Sequence, residues 1–477
     1  MNGDSGQRRR TKIVATVGPA TRSTEQLMEL IRAGADVLRL NYSHGTRDEH
    51  ALTVAGIREA SRRVGRHVGI LGDIPGPKIR LDEIEDGVVR LHSGGELTLT
   101  IEECVGTEAC LPVSWDGLPA AVNPGEEIYL ADGKVRLRVL SCSEAEVRVA
   151  VEAGGAVASH QGVNLPHTEH PPPATSKGDL GWVDFAVETG VDVLAVSFVR
   201  SAEDLVAVED RLDSLGSDIP LIAKIETVRA ARDAEELVAR AGAGIMVARG
   251  DLGIELPIAS VPVEQKRLLA LAGKRSKPAI TATQMLASMV TSDRPTRAEV
   301  ADVANAIYDG TDAVMLSEET AVGEHPIEAV RVMHRIALET EPELPYGEWL
   351  LNRVEVEGDV AGSVAQGAVG ATYRLGLAAI VVPTTSGRTA RIVSALRPRV
   401  PVLAITPRQE TAQRLNLLFG VEAVFHEAGE DLRAQLDESA AMAAEHGVAR
   451  SGDLIAITAA LPDMELGTNL FEIHRVP

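Results

Sequence analysis

Residues 221–251 read LIAKIETVRAARDAEELVARAGAGIMVARGD. An apolar run at 221–226 precedes a helical pattern at 232–241, and a second apolar run follows at 245–251. Val/Ile/Ala/Leu runs of this kind are those of strands buried on both faces. Strand, helix and strand in succession make one parallel β/α unit. The alternation continues in both directions. Further strands are predicted at 12–18, 37–43, 68–74, 191–199, 279–284 and 313–317, and further helices at 23–33, 48–64, 202–215, 263–276 and 297–308. Eight strand-then-helix units predict an α/β fold, a (β/α)8 barrel. An open doubly wound sheet is the alternative that eight units do not exclude.

One interval is too long for a β/α loop. From Pro75 to Pro166 short strands at 88–91, 96–101, 127–130, 135–140 and 146–151 alternate with Gly, Pro and Asp turns. A small β-barrel lid inserted after the third barrel strand is expected, with the Pro171–Pro173 run marking a joint. After Glu341 apolar strands recur at 379–382, 402–405, 423–425 and 454–458, predicting a parallel α/β domain. The expected division is a tail at 1–10, the barrel at 11–73 and 167–341, the lid at 74–166 and the C-terminal domain at 342–477.

Composition agrees with several domains. At roughly 100–200 residues per domain, 477 residues imply two to four. The net charge of −22 argues against a nucleic-acid or anionic-membrane binder. Its cations are 39 Arg and only 8 Lys. The three cysteines, Cys104, Cys110 and Cys142, form no CxxC pair, which argues against structural zinc or a disulfide framework and fits a reducing compartment. The Arg8–Arg10 cluster is followed by no long apolar region, and no run approaches the ~18 apolar residues of a membrane span. A soluble, cytoplasmic protein is expected.

In a barrel the site lies at the C-terminal strand ends. The second strand ends Arg39-Leu-Asn41-Tyr-Ser43-His44, with Arg39, Asn41 and Ser43 on one face by alternation. A cation beside neutral oxygens suits a phosphate with a monovalent cation, though a polar rim would look the same. The fifth strand ends with Lys224 and Glu226 on a shared face, which alone reads more simply as an ion pair. The sixth ends Arg249-Gly250-Asp251, where Gly250 leaves room for backbone N–H groups to approach an anion. Glu226 and Asp251 together supply two hard carboxylates of the kind that hold Mg²⁺ with substrate phosphates. Thr283 offers a hydroxyl on the seventh strand and Asp73 closes the third. Cations, carboxylates and a hydroxyl on one rim are the parts that phosphoryl transfer needs. No Gly-x4-Gly-Lys-Ser/Thr loop occurs. In the C-terminal domain, Thr384, Thr385, Ser386, Gly387, Arg388 and Thr389 follow a strand and precede a helix. They form either a phosphate nest or plain capping by Thr385 or Ser386.

The ordered segments TKIVATVGPAT, RLNYSHG, GPKIR, GVNLP, SFVR, AKIE, IMVARGDLGIELP, TATQML and PTRAEVADVANAIYDGTDAVMLS resemble the pyruvate kinase family from Thr11 to Val476. The resemblance implies a catalytic barrel, an inserted lid, a C-terminal regulatory domain and a homotetramer. It implies transfer of the phosphoryl group of phosphoenolpyruvate to ADP, giving pyruvate and ATP, with Mg²⁺, which Mn²⁺ can replace. Lys224 matches the lysine that stabilises the transferring phosphoryl group, and Arg39 the phosphate-binding arginine. Glu226 and Asp251 match the Mg²⁺ ligands. Gly250, Asp251 and Thr283 match the substrate-carboxylate positions, and Thr283 also lies where the enolate is protonated through water. Asn41, Tyr42, Ser43, His44 and Arg80 match the nucleotide side. Asn41, Ser43, Asp73 and the Ile74 carbonyl match the K⁺ pocket. Thr384–Thr389 matches the effector phosphate loop.

Departures from the family pattern sharpen these expectations. Residues 73–80 read Asp-Ile-Pro-Gly-Pro-Lys78-Ile-Arg80 where many members have Glu in place of Lys78. Members with Lys resemble the K⁺-independent ones, and an ammonium is a compact resident cation. Activity without K⁺ is therefore expected, the alternative being a solvated hinge lysine. Glu318 replaces a family glycine, which puts local loop geometry in question. Lys177 stands one residue before the family lysine that follows the lid, with Gly178 in the matching place. The loop Leu461-Pro-Asp-Met-Glu-Leu-Gly467 is less glycine-rich than loops that clasp fructose 1,6-bisphosphate, so a monophosphate effector such as AMP or a sugar monophosphate is expected. Two rivals remain at this stage. One is a Mg²⁺-dependent barrel lyase or aldolase working through a pyruvate enolate. The other is a catalytically degenerate phosphate sensor.

Overall fold

Eight parallel strands close on themselves. Around the barrel they run Lys12–Thr16, Ala313–Leu316, Ala279–Ala282, Gly244–Ala248, Leu221–Ile225, Val193–Val196, Gly69–Ile74 and Val37–Asn41, which returns to the first. Closure excludes the open doubly wound alternative. The computed structural model describes residues 8–131, 133–166, 168, 171–354, 359–427, 431–460 and 467–477. The strands are buried along their length, with only Asn41 partly open. Arg39, Asp73 and Lys224 are still paired in the ladder near their strand ends, whereas Glu226, Asp251 and Thr283 lie just beyond theirs. Inside, Val14, Leu71, Ile222, Met246, Ile280 and Met315 fill the barrel.

The helices begin where the sequence caps them. Ser23 caps Thr24–Ala33 through Gln26, and Thr296 caps Arg297–Tyr308 through Glu299, each as a reciprocal capping box. Two expected helices are broken. Residues 202–215 form a tight turn, Ala202–Leu205, before Val206–Ser214. Ahead of Ala234–Arg240 lies a separate short helix, Val228–Arg232, with Asp233 between them outside helical geometry.

The lid is a six-stranded sheet ordered Val163–Asn164, Glu127–Leu130, Val135–Cys142, Glu146–Ala153, Glu96–Thr100 and Cys110–Pro112, beside the pair Val88–Leu91 and Gly155–Ala158. It has its own core, including Leu99, Leu111, Ile128, Leu137 and Val149. The sheet curls into the small β lid expected of the insertion. Its end strands are short, with two and three residues.

The C-terminal sheet runs Val421–Phe425, Val402–Thr406, Ala379–Pro383, Leu454–Ala459 and Leu470–Arg475. The four expected strands are parallel, and a fifth that the sequence reading did not identify pairs antiparallel at the edge. It is only partly buried along its length, so it lacks the continuous apolar run that identified the others. Arg397, fully buried, reaches from this domain to the base of the barrel, where it pairs with Asp312 at 2.7 Å and donates to the Gly310 carbonyl at 2.7 Å.

Candidate active site

At the rim, the strand ends bring together residues that lie far apart in the chain. Lys224, on the last turn of its strand, points its Nζ at three oxygens. They are Ser197 Oγ at 2.7 Å, Glu226 Oε1 at 2.9 Å and Asp73 Oδ1 at 3.2 Å. Arg39 lies on the other side of Asp73, with Nε and Nη2 each 2.7 Å from Oδ2. Its Nη1 donates to Thr16 Oγ1 at 3.0 Å. Glu226 is oriented by the backbone N–H of Phe198, 2.7 Å from Oε2. Phe198 holds that position with φ +53°, a left-handed conformation that is strained for a bulky residue.

Burial and charge act against each other here. Burial alone would discharge Lys224, but Asp73 and Glu226 outweigh it and hold the ammonium charged well above its ordinary range. Burial would likewise raise Asp73, yet Lys224 and Arg39 keep it below the usual carboxylate range. For Glu226 burial prevails. Lys224 pulls it down, the neighbouring Asp251 pushes it up, and the net shift is upward. Two hard oxygen donors that repel each other across a gap fit a divalent cation. Among the described residues no group of three or more His, Cys, Asp or Glu is arranged to hold a metal.

The sixth strand ends at Ala248, so Arg249, Gly250 and Asp251 open a short helix, Arg249–Glu255, and do not extend the strand as expected. Arg249 anchors that opening, donating to the Thr283 carbonyl at 2.9 Å and pairing with Asp302 at 2.7 Å. The Gly250 N–H donates to Thr283 Oγ1 at 2.7 Å, and that hydroxyl donates to the Ala282 carbonyl at 2.7 Å. Thr283 and Gln284 have φ +68° and +55°, a second strained corner. Glu318 starts a short helix, Glu318–Ala321, without positive φ, so its backbone conformation does not require a glycine.

A cavity of about 610 Å³ joins Arg39, Asn41, His44, Asp73, Lys224, Glu226, Asp251 and Thr283. Four expected site residues are placed differently. Tyr42 is turned into the barrel wall, 3% exposed and stacked on Trp182 with ring centroids 4.5 Å apart. Its ring packs against Trp182 and Phe185, so it offers no face to a nucleotide. Ser43 is exposed beyond the strand end, donating its N–H to Asn41 Oδ1 at 3.2 Å. It does not continue the Arg39 face, because alternation lapses where the ladder ends. Lys78 and Arg80 stand on the lid side. Lys78 packs over Gly162 and lines an adjoining cavity with Phe198, Thr227 and Glu255. Arg80 donates to the His160 carbonyl at 2.9 Å. Lys177 opens the helix Lys177–Thr189 at the surface.

The sequence reading missed Ser197, Phe198, Thr16 and Glu255. The first two lie in the segment SFVR and Glu255 in IMVARGDLGIELP, so the signal was present, but their partners are on other strands. Glu255 Oε2 accepts the Val228 N–H at 2.8 Å, and burial with Asp251 and Glu226 nearby pushes its carboxyl up to about 7.

In the C-terminal domain the helix Arg388–Ala395 starts after Gly387 (φ +80°) and has no side-chain cap, so capping by Thr385 or Ser386 is not realised. Thr384 Oγ1 accepts the Gly387 N–H at 3.0 Å, and Thr389 shares a hydrogen bond with Thr468 at 2.6 Å. Thr384, Thr385, Ser386, Arg388 and Thr389 line one cavity with His426 and Thr468, while Arg388 pairs with Asp359 at 3.1 Å. Residues 461–466 of the expected effector loop lie outside the described residues.

A closed barrel whose rim gathers a buried lysine, an arginine and paired carboxylates beneath an inserted lid defines a phosphate-handling barrel enzyme. The family model "Pyruvate kinase, barrel domain" matches residues 8–330 and "Pyruvate kinase, alpha/beta domain" matches 362–474. The chain belongs to the pyruvate kinase family. It is 41% identical over 474 residues to the pyruvate kinase of Geobacillus stearothermophilus, covering 98% of this chain and 81% of that one. It is 38% identical over 475 residues to that of Thermococcus litoralis, covering 98% and 99%. A crystal structure of a pyruvate kinase from Cryptosporidium parvum superposes with TM-score 0.92 at 34% identity, over 98% and 96% of the two chains. The protein is a glycolytic kinase that converts phosphoenolpyruvate and ADP to pyruvate and ATP. The match runs through lid and C-terminal domain alike, which a barrel lyase or aldolase has no need of. No helix among the described residues is long and apolar enough to cross a membrane.

Proposed function

We propose that this pyruvate kinase works through Lys224, Arg39 and Thr283, with Mg²⁺ held by Glu226 and Asp251, and without K⁺. The observation that carries the reading is the Lys224 ammonium, kept charged between Asp73 and Glu226 at 3.2 and 2.9 Å. Lys224 and Arg39 neutralise the oxygens of the transferring phosphoryl group, where charge spreads in the transition state. The bond between phosphorus and the enol oxygen breaks as one to the ADP phosphate forms. Thr283 then directs a proton, through water, to the enolate carbon. Gly250, Asp251 and Thr283 position the substrate carboxylate end, and Asn41, Ser43, His44 and Arg80 serve the nucleotide. Mg²⁺, when bound, supplies charge neutralisation and a template for substrate oxygens, and Mn²⁺ can take its place.

Lys78 is assigned the office of K⁺, with Asn41, Ser43, Asp73 and Ile74 as the pocket. The support is a positive charge between barrel and lid, a few residues past the strand Gly69–Ile74 that carries the buried carboxylate Asp73. The C-terminal loop Thr384–Thr389 takes a phosphorylated effector, a nucleoside or sugar monophosphate, in a cytoplasmic homotetramer. A lactate-dehydrogenase-coupled assay in K⁺- and Na⁺-free buffer, with and without Mg²⁺, tests the ion reading. Activity that requires added K⁺ overturns the part given to Lys78. Calorimetry and kinetics with AMP and glucose 6-phosphate test the effector site, and no response to either removes it.

A further inference from the structure

Glu226 and Asp251 sit on different elements, and something must set the gap between them. Glu226 follows the strand Leu221–Ile225, whereas Asp251 lies in the first turn of the helix Arg249–Glu255. The front of that helix is held by Arg249 through Asp302 and the Thr283 carbonyl. Its far end carries Glu255, one turn beyond Asp251 and on the same face. Glu255 Oε2 accepts the N–H of Val228 at 2.8 Å. Val228 is two residues past Glu226 and opens the helix Val228–Arg232, which Thr227 caps through the Ala230 N–H at 3.0 Å. Chain and hydrogen bond thus make a closed loop from Glu226 through Val228 and Glu255 to Asp251.

We infer that Glu255 is a positioning residue for the divalent-cation site, setting the separation of Glu226 and Asp251 by tying the helix that carries one to the turn that follows the other. The inference rests on the reading of those two carboxylates as the Mg²⁺ ligands. Glu255 acts through the Val228 N–H and touches neither substrate nor metal. Its replacement leaves both ligands present but frees the relative motion of their supports. Groups that orient metal ligands in this indirect way commonly change metal affinity about ten- to hundredfold.

The test measures Mn²⁺ binding to the substrate-free full chain by the electron paramagnetic resonance signal of the free ion. Wild type, Glu255→Ala, Glu255→Gln and Glu226→Gln are compared, with thermal melting as the control for folding. Glu255→Ala is expected to weaken Mn²⁺ binding about tenfold or more. Glu255→Gln, whose amide oxygen still accepts the Val228 N–H, is expected to restore it. In the coupled assay the alanine variant should raise the Mg²⁺ concentration for half-maximal rate more than it lowers kcat at saturating Mg²⁺. Equal weakening by Gln and Ala overturns the inference, since charge and not the hydrogen bond would then matter. Unchanged binding in both variants also overturns it. Unchanged binding in Glu226→Gln is a separate failure, that of the metal-ligand reading itself.

Discussion

Asp73 holds Arg39 and Lys224 apart with its two oxygens, Oδ2 taking both Nε and Nη2 of Arg39 at 2.7 Å and Oδ1 facing Lys224 Nζ at 3.2 Å. A single carboxylate, 1% exposed, thereby compensates two buried cations. Removing its charge leaves both in low dielectric with only neutral partners and Glu226. Asp73→Asn should destabilise the protein by about 3–5 kcal/mol, the usual cost of breaking a buried ion pair. Urea unfolding checks this. A loss below about 1 kcal/mol would show that water reaches the pair as at a surface.

Lys224→Met should keep the fold and lose catalysis. Its ammonium already has Asp73 and Glu226 as ground-state partners, so its advantage for the substrate lies in the charge that develops during transfer. Loss of one such donor lowers kcat by about 10²–10³. The phosphoenolpyruvate KM should change much less. Steady-state kinetics decide it, and a loss confined to KM would assign the lysine to substrate capture.

Lys78→Glu should create a K⁺ requirement. The variant reverses the charge at a hinge position between Asp73 and Arg80. Without K⁺ its rate should drop by about tenfold or more, equivalent to ~1.4 kcal/mol of barrier, and added K⁺ should recover much of it. Assays in tetramethylammonium buffer with and without KCl provide the comparison. A variant indifferent to K⁺ would leave Lys78 a packing residue over Gly162.

Asp36, at the base of the barrel, gives a pH signature unrelated to catalysis. Burial would raise its pKa, but Arg9, Lys12 and Arg66 outweigh burial and lower it to about 2. Arg9 Nη2 lies 2.7 Å from Oδ2, and the Ile13 N–H donates to the same oxygen at 2.8 Å. A depressed folded-state pKa means that the stabilisation is present above the unfolded value of 3.8 and is lost as pH falls toward 2. About two units correspond to ~2–3 kcal/mol. The stability gap between wild type and Asp36→Asn should therefore be constant near neutrality and shrink between about pH 4 and pH 2. Denaturant titrations across that range measure it.

The barrel was legible because its strands are buried on both faces and carry a local apolar signal. Leu221–Ile225 and Arg297–Tyr308 needed no tertiary information. Leu470–Arg475 was not legible, because a partly exposed edge strand mixes apolar and polar residues. Lys224, Glu226, Asp251 and Thr283 could be found because each follows an apolar run, and a barrel puts its strand ends on one rim. Ser43 was misplaced because the period-2 rule was extended past Asn41, where the ladder that enforces it stops. Tyr42 was placed by the family resemblance, and its packing against Trp182 is a tertiary contact.

Taken alone, the sequence determined the eight barrel strands, the lid insertion, the family and which polar residues end several of those strands. All of these depend on local composition or on ordered segments. Tertiary structure decided which rim groups touch. It joined Arg39, Asp73, Ser197 and Lys224 into one charge-compensated set. It also turned Tyr42 against Trp182, set Lys78 over Gly162 and tied Glu255 to Val228. Those contacts link residues on separate strands and loops, so their distances follow from barrel closure and register. No pattern within a single segment encodes them.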